Sequence, residues 1–271
     1  MLPASLRVSV AGFGTIGGEV IGALARGIDG LTLAAVSARD KVRAKERLAE
    51  LGLAIPVCEL SELPSHADII VECLPPAAFR SIAEPAIEAG RTLVVVSAAA
   101  LLENEDLLAR AQERRVPLHI TSGAIAGLDG VRACLEGTIE TVTIKTSKPP
   151  MAFMSLPNLA GRKAELEQLS QPICLFQGSA REGGTAFPTN VNVAVALGLA
   201  GIGVDRTVLE IWADPTILRN THEIRVMSDA AEWSMRIENL PAPGNPRTSR
   251  MAALSTIALL RRLTASTSVG S

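Results

Sequence analysis

The alternation of apolar and polar positions changes character near the middle of the chain. In the first 121 residues short, almost wholly apolar runs recur at Leu6–Ala11, Leu31–Val36, Asp68–Cys73, Thr92–Val96 and Leu118–Thr121. Between them lie segments with helical spacing, over about 17–26, 40–51, 77–89 and 103–114. Strands apolar on both faces, alternating with helices, predict a parallel sheet covered on both sides. From Ser122 onward the period shortens to two: Glu140–Thr146, Arg206–Trp212, Thr221–Val226 and Glu232–Ile237 alternate as strands with one wet face do. Short connections among the last three predict an antiparallel meander, preceded by a helix over about 190–201. Asn245-Pro246 has the form of an N-cap followed by a first-turn proline. The helix it would open carries Met251, Leu254, Ile257, Leu259, Leu260 and Leu263 on nearly every side. Such a helix needs cover, and is expected to pack back on the first domain.

The turn after the first strand gives that sheet a purpose. Gly12-Phe13-Gly14-Thr15-Ile16-Gly17 is a G-x-G-x-x-G pattern set between a strand and a helix. Gly12 permits the tight turn, Gly14 lets a pyrophosphate approach the backbone, and Gly17 allows close helix–strand packing. The helix start adds N–H donors and partial positive charge for phosphates. The residues expected to hold a dinucleotide are therefore Gly12, Gly14, Thr15, Ile16 and Gly17. The fold class that follows is α/β: an N-terminal Rossmann domain with a doubly wound parallel sheet, and a second α+β domain on an open, mostly antiparallel sheet. The expected boundaries are 1–121 for the dinucleotide-binding domain, 122–245 for the second, and 246–271 for the returning helix.

About twenty residues past the glycines, where an acid often bonds the adenosine ribose, stand Ser37, Ala38, Arg39 and Asp40. Ser37 and Arg39 suit a 2′-phosphate, so NAD and NADP both stay open; the plainer reading is that Arg39 and Asp40 open the next helix. Composition narrows the partners. With 48% hydrophobic and 20% charged residues the chain is globular, and a net charge of −2 gives no reason to expect nucleic acid or an anionic membrane. No apolar run approaches a membrane span, and the opening residues lack the regions of a signal peptide. Cys58, Cys73, Cys134 and Cys174 are widely spaced in apolar surroundings, which predicts buried free thiols and a cytoplasmic setting. With no Cys/His cluster, no metal site is expected.

Three stretches of the second domain carry more polar residues than a sheet needs. Lys148, before Pro149-Pro150, is a solvated strand-end lysine, a carboxylate anchor or a base. Asn190 and Asn192 stand at a helix start, where asparagine often caps. An amide also offers both donor and acceptor to a carboxamide such as that of nicotinamide; Asn190 is the first choice for this and Asn192 the second. His222 alternates onto the face of Ile224 and Val226, as a core histidine would. Yet Asp214, Arg219 and Asn220 share its loop, and a histidine beside a carboxylate can titrate near neutral pH and act as acid or base.

Taken in order, several stretches resemble the L-aspartate dehydrogenase family over nearly the whole chain. They are Gly12-x-Gly14-x-x-Gly17, Ser122 through Gly127, Lys148-Pro149-Pro150 and Asn190-Val191-Asn192-Val193-Ala194. The series continues with Asp214-Pro215 through Arg219-Asn220-x-His222-x-Ile224, then Glu238-Asn239-x-Pro241 to Asn245-Pro246-Arg247-Thr248-Ser249. The resemblance implies a Rossmann domain joined to a domain that carries the active site and the dimer contact. It further implies that His222 is the catalytic acid/base, that Ala124 and Asn190 meet the nicotinamide end of the cofactor, and that NAD or NADP serves. The activity implied is oxidative deamination of L-aspartate through iminoaspartate to oxaloacetate and ammonia, or supply of iminoaspartate to NAD synthesis, by a cytoplasmic homodimer. Lys148, Asn192 and Arg219 are the residues expected to hold the substrate. Competing readings are a related oxidoreductase acting on homoserine or a cyclic imine, and a dinucleotide sensor without chemistry.

Overall fold

The structure, a computed structural model, describes residues 5–188 and 191–270. It divides into two compact units: the chain up to Gly123 together with Ala252–Val269, and Ala124–Met251.

The first unit contains β1 (Leu6–Ala11), α1 (Thr15–Ala25), β2 (Leu31–Ser37), α2 (Lys41–Glu50), α3 (Leu63–His66), β3 (Ile69–Glu72), α4 (Arg80–Glu88), β4 (Thr92–Val95), α5 (Glu105–Glu113) and β5 (Leu118–Ile120). The strands form one parallel sheet in the order β2-β1-β3-β4-β5. A single parallel bridge, Val36 to Val57, adds a rudiment beyond β2. Counting it, the order is that of a dinucleotide-binding sheet whose outermost strand has shrunk to one bridge. The neighbouring Pro56 helps explain the shrinkage, since proline cannot donate to a ladder.

The period of two splits the core. Ile70, Leu93 and Val95 point to one face and pack with Phe79, Ile82, Leu101 and Leu107. Val8, Val10, Val71 and Val94 point to the other and pack with Val20, Ile21, Leu24 and Leu48. The last helix of the chain, Arg250–Thr264, joins this second face through Leu260, which is fully buried, with Ile257, Leu259 and Leu263 beside it. Each buried aliphatic side chain of this kind contributes about 1.5–3 kcal/mol against exposure.

The second unit contains α6 (Leu128–Leu135), β6 (Ile139–Lys148), α7 (Lys163–Glu167), β7 (Ile173–Ser179), α8 (Ala180–Ala186), α9 (Asn192–Ala200), β8 (Val208–Ala213), β9 (Thr221–Ser228), β10 (Glu232–Glu238) and a ribbon of β11 (Pro241–Ala242) and β12 (Asn245–Ser249). Its sheet runs β10-β9-β6-β8-β7. Three of the four pairings are antiparallel and one, β6 with β8, is parallel. Val142, Ile144, Leu209, Ile211, Ile224 and Val226 are buried on one face. On the other, Arg236 bonds Glu223 at 2.8 Å and the Lys145 ammonium lies 4.6 Å from the Trp212 ring centre. One dry face and one wet face is what the alternating sequence requires.

Three expectations are corrected. The last three long strands are not a meander, because β6 lies between β8 and β9; only β9 and β10 form a hairpin. The final helix, labelled α10 from here, does not begin at Asn245-Pro246. Those residues belong to β12, and the Ser249 hydroxyl accepts the Met251 N–H at 3.1 Å to cap the helix start instead. Finally, Cys174 is exposed on the edge strand β7, although Cys58 and Cys134 are buried and all four thiols are free. Among the described residues no helix is long and apolar enough to cross a membrane.

Candidate active site

Two constellations carry polar groups beyond what folding needs, one in each unit. In the first, β1 ends at Ala11 and the chain turns sharply at Gly12, whose φ of 105° only glycine adopts readily. A Cβ on Gly12 would lie 2.5 Å from the Cys73 carbonyl oxygen, and one on Gly17 would fall on the Gly12 carbonyl. Gly14 differs: it is exposed, and a Cβ there would meet nothing within 4 Å. The three glycines thus do different work, two closing the turn and one keeping its outer surface bare.

Gly14 caps α1 with no side-chain bond, and the first turn of α1 holds no acid. A bare backbone surface at the positive end of an 11-residue helix fits a pyrophosphate. Thr15 and Ile16, the first two residues of α1, stand half-buried beside it. Arg47 of α2 steadies the turn: Nη1 donates to the Phe13 carbonyl at 2.7 Å, and the guanidinium sits 3.9 Å from the Phe13 ring centre. Nothing in the spacing of the sequence pointed to this arginine. Ser37 is buried and its carbonyl accepts the Gly12 N–H at 2.8 Å, while Arg39 is exposed. Asp40 accepts the Arg43 N–H at 2.9 Å, so it is the N-cap of α2.

In the second unit the polar group lies on the dry face of the sheet. Thr146 of β6 is directly opposite His222 of β9, and Lys148 follows two residues later on the same side as Thr146. Pro149 and Pro150 then end the strand and lead into a short 3-10 turn, Pro150–Phe153. His222 is 6% exposed and Thr146 not at all. The Thr146 Oγ1 and His222 Nδ1 are 3.0 Å apart, a hydrogen bond whose donor depends on the tautomer. Burial first, and the Lys148 charge second, push the His222 pKa down to about 3. Burial likewise pulls the Lys148 ammonium down to about 8.

The imidazole therefore differs from its expected setting. The carboxylate that was to bring it near neutrality, Asp214, bonds the Thr216 N–H at 2.8 Å and the Thr216 hydroxyl at 2.6 Å. His222 sits instead beside a hydroxyl, and burial together with the Lys148 charge favours the neutral ring. Arg219 is exposed on the loop before β9, and Asn192 is the first residue of α9. Asn190 lies outside the described residues.

Ala124 is buried, and its carbonyl accepts the Asn239 Nδ2 at 3.1 Å. Asn239 is buried too: its N–H donates to the Asn220 carbonyl at 2.8 Å, and its Oδ1 accepts the Ser249 hydroxyl at 2.6 Å. One residue thus fixes Ala124 and the end of β12 through its side-chain amide and the loop before β9 through its main-chain N–H. Such a role depends on contacts between distant segments, and no local spacing betrays it.

Comparison with known proteins places a family boundary near the same point, although the C-terminal family model also takes in the helix that packs in the first unit. Residues 129–263 match the family model described as aspartate dehydrogenase, C-terminal. Residues 12–121 match that of the homoserine dehydrogenase NAD binding domain. The chain is 47% identical to L-aspartate dehydrogenase 3 of Bordetella bronchiseptica over 98% of its own length and 97% of the relative's. It is 44% identical to the L-aspartate dehydrogenase of Bradyrhizobium diazoefficiens, covering 98% and 95% of the two chains. The crystal structure of aspartate dehydrogenase from Thermotoga maritima superposes with a TM-score of 0.73 at 24% identity, covering 98% of this chain and 99% of that one, and shows the same fold.

Proposed function

The chain belongs to the L-aspartate dehydrogenase family, and from that footing we propose that it oxidises L-aspartate to iminoaspartate, which water converts to oxaloacetate and ammonia. It is a nicotinamide-dependent dehydrogenase. The family model of the homoserine dehydrogenase NAD binding domain matches residues 12–121, while residues 129–263 match the aspartate dehydrogenase model. The observation that carries the reading is the Thr146, His222 and Lys148 cluster on the dry face of the second sheet. Bound at the Gly12–Gly17 turn, NAD+ or NADP+ supplies the hydride acceptor. Ser37 in place of a ribose acid, with Arg39 close behind, supports use of both.

Each side chain has a task. Lys148, largely protonated at neutral pH, anchors a substrate carboxylate, with Arg219 as a second cation and Asn192 as a polar contact. His222 is neutral in the free protein. A dicarboxylate arriving beside it favours the imidazolium and raises its pKa, so the ring gains basicity when substrate is bound. It then takes a proton from the water that adds to the imine carbon and returns it to the departing nitrogen. Thr146 holds the ring through Nδ1. Ala124 and Asn190 meet the nicotinamide end of the cofactor. The remainder of the reading is a cytoplasmic homodimer whose iminoaspartate is either hydrolysed or passed on to pyridine-nucleotide synthesis.

Two consequences are measurable. Thr146→Val keeps the side-chain shape and removes the hydroxyl, so kcat is expected to fall about three- to tenfold, the scale of one hydrogen bond of net 0.5–1.5 kcal/mol. Unchanged turnover would leave the ring held by something else. The KM for L-aspartate is expected to rise as pH passes upward through about 8, where Lys148 loses its charge. Lys148→Gln should have a high KM throughout and lose that inflection. A KM flat with pH and a kcat that climbs through the same range would make Lys148 a base rather than an anchor. The function itself is tested by following nicotinamide reduction with L-aspartate, D-aspartate and L-glutamate against each cofactor. L-Aspartate alone should support rapid reduction; equal rates with L-glutamate, or none with L-aspartate, would refute it.

A further inference from the structure

Glu72 is the last residue of β3 and is wholly buried. In the sheet it lies between Ala11, which leads into the glycine turn, and Val95, which leads into Val96-Ser97. A buried carboxylate is costly unless its oxygens are satisfied. Here Oε1 accepts the Leu74 N–H at 2.7 Å, and Oε2 accepts those of Ser97 at 3.0 Å and Val96 at 3.2 Å. The Ser97 hydroxyl donates to the Leu74 carbonyl at 2.8 Å and closes the link between the two strand ends. Burial holds the carboxyl's pKa above its ordinary value, and the hydrogen bonds from Ser97, Leu74 and Val96 offset only part of that rise. Both oxygens face N–H donors and so act as acceptors here.

The place matters as much as the bonds. In the order β2-β1-β3 the chain reverses direction across the sheet between β1 and β3. Ligands of such sheets lie outside the carboxyl ends of the strands at that point. The peptide after Glu72 forms one wall of it. Cys73 donates to the Ala11 carbonyl at 2.8 Å, its own carbonyl oxygen is the atom a Cβ on Gly12 would strike, and Leu74 Cδ2 lies 3.4 Å from that same Cβ position. An apolar side chain at this position would offer the N–H groups of Leu74 and Ser97 no acceptor, so the carboxylate ties these loop ends to β3.

We infer that Glu72 is a positioning residue for the dinucleotide. By gripping the amides of Leu74, Val96 and Ser97 it sets the ends of β3 and β4 at the crevice beside the Gly12–Gly17 turn. The inference rests on the cofactor assignment above but adds a residue that does not itself meet the cofactor. Glu72→Gln exchanges one acceptor oxygen for an NH2 group that must face an N–H donor. Glu72→Asp keeps both oxygens one methylene short of their donors.

The test measures the Kd for NADH by fluorescence, well below each variant's melting temperature, in the parent, E72Q, E72D and Leu107→Ala. Leu107 is fully buried in the same unit and takes no part in the hydrogen bonds of Glu72, so its truncation lowers stability while leaving those bonds in place. E72Q is expected to raise Kd about tenfold or more, and E72D about threefold, with kcat at saturating cofactor near the parent's and L107A within about twofold in Kd. Parent-like affinity in both Glu72 variants, or an equal loss in L107A, would overturn the inference alone. A parent that binds no dinucleotide would overturn it together with the cofactor assignment.

Discussion

Alanine at His222 is expected to lower kcat by roughly 10²–10⁴, the usual share of a positioned acid/base, while the Kd for NADH stays near the parent value. The size follows from where the ring sits. At 6% exposure the ring is largely shielded from bulk solvent and held by Thr146, so truncation leaves no ready substitute for the group that moves the proton. The variant should also be folded, since the loss is one side chain on a sheet face otherwise lined by Ile224, Val226 and Ile144. With a free-protein pKa near 3, His222 contributes no inflection to kcat/KM between neutrality and mild acid. That separates it from Lys148, whose inflection lies near 8. Turnover within threefold of the parent would remove His222 from the proposed mechanism.

The second large effect divides the glycines. Gly14→Ala places a methyl where nothing lies within 4 Å, so its melting temperature should match the parent's. The same methyl occupies the surface that a pyrophosphate must approach, and affinity for NADH is expected to fall by at least about tenfold, or 1.4 kcal/mol. Gly17→Ala should behave oppositely in order of cause. Its Cβ falls on the Gly12 carbonyl, with the Cys73 Cβ 3.5 Å away, so the turn must open before any ligand arrives. Overpacking of this kind costs about 1–3 kcal/mol, which lowers a melting temperature by several degrees in a chain of this size, roughly 2–4 °C for each kcal/mol. Thermal melts with and without NADH distinguish the two. A destabilised Gly14→Ala, or a Gly17→Ala of normal stability and affinity, would contradict the division.

Much of the first unit was legible because its signals are local. Apolar runs such as Ile69-Ile70-Val71 are too short to be helices and too apolar for an open sheet, and the glycine turn sits directly behind one of them. The second sheet was harder. Its alternation predicted strands and a wet face correctly, but strand order depends on partners distant in sequence. The short 214–220 connection suggests a hairpin, and β6, from seventy positions earlier, takes the place between. The edge strand β7 carries Gln177 and Gly178 and is only half-buried, so it shows little of the pattern of a strand. Proline at position 246 reads as a helix start by the usual preference, yet it falls within the short strand β12.

The site shows the same limit. His222 was identifiable as a residue, but its surroundings were not, because Thr146 lies 76 positions away and reaches it only through strand register. Glu72 reads as the polar end of a core strand. Only the register with Ala11 and Val95 reveals that its oxygens meet three amides on two loops.

Hydride transfer from the amino acid's Cα is the step on which every assigned role depends, and isotope transfer reads it directly. L-Aspartate deuterated at Cα should yield reduced nicotinamide carrying the deuterium at C4, with oxaloacetate and ammonia formed in equal amount. Reduced cofactor without deuterium, its label lost to solvent instead, would contradict it.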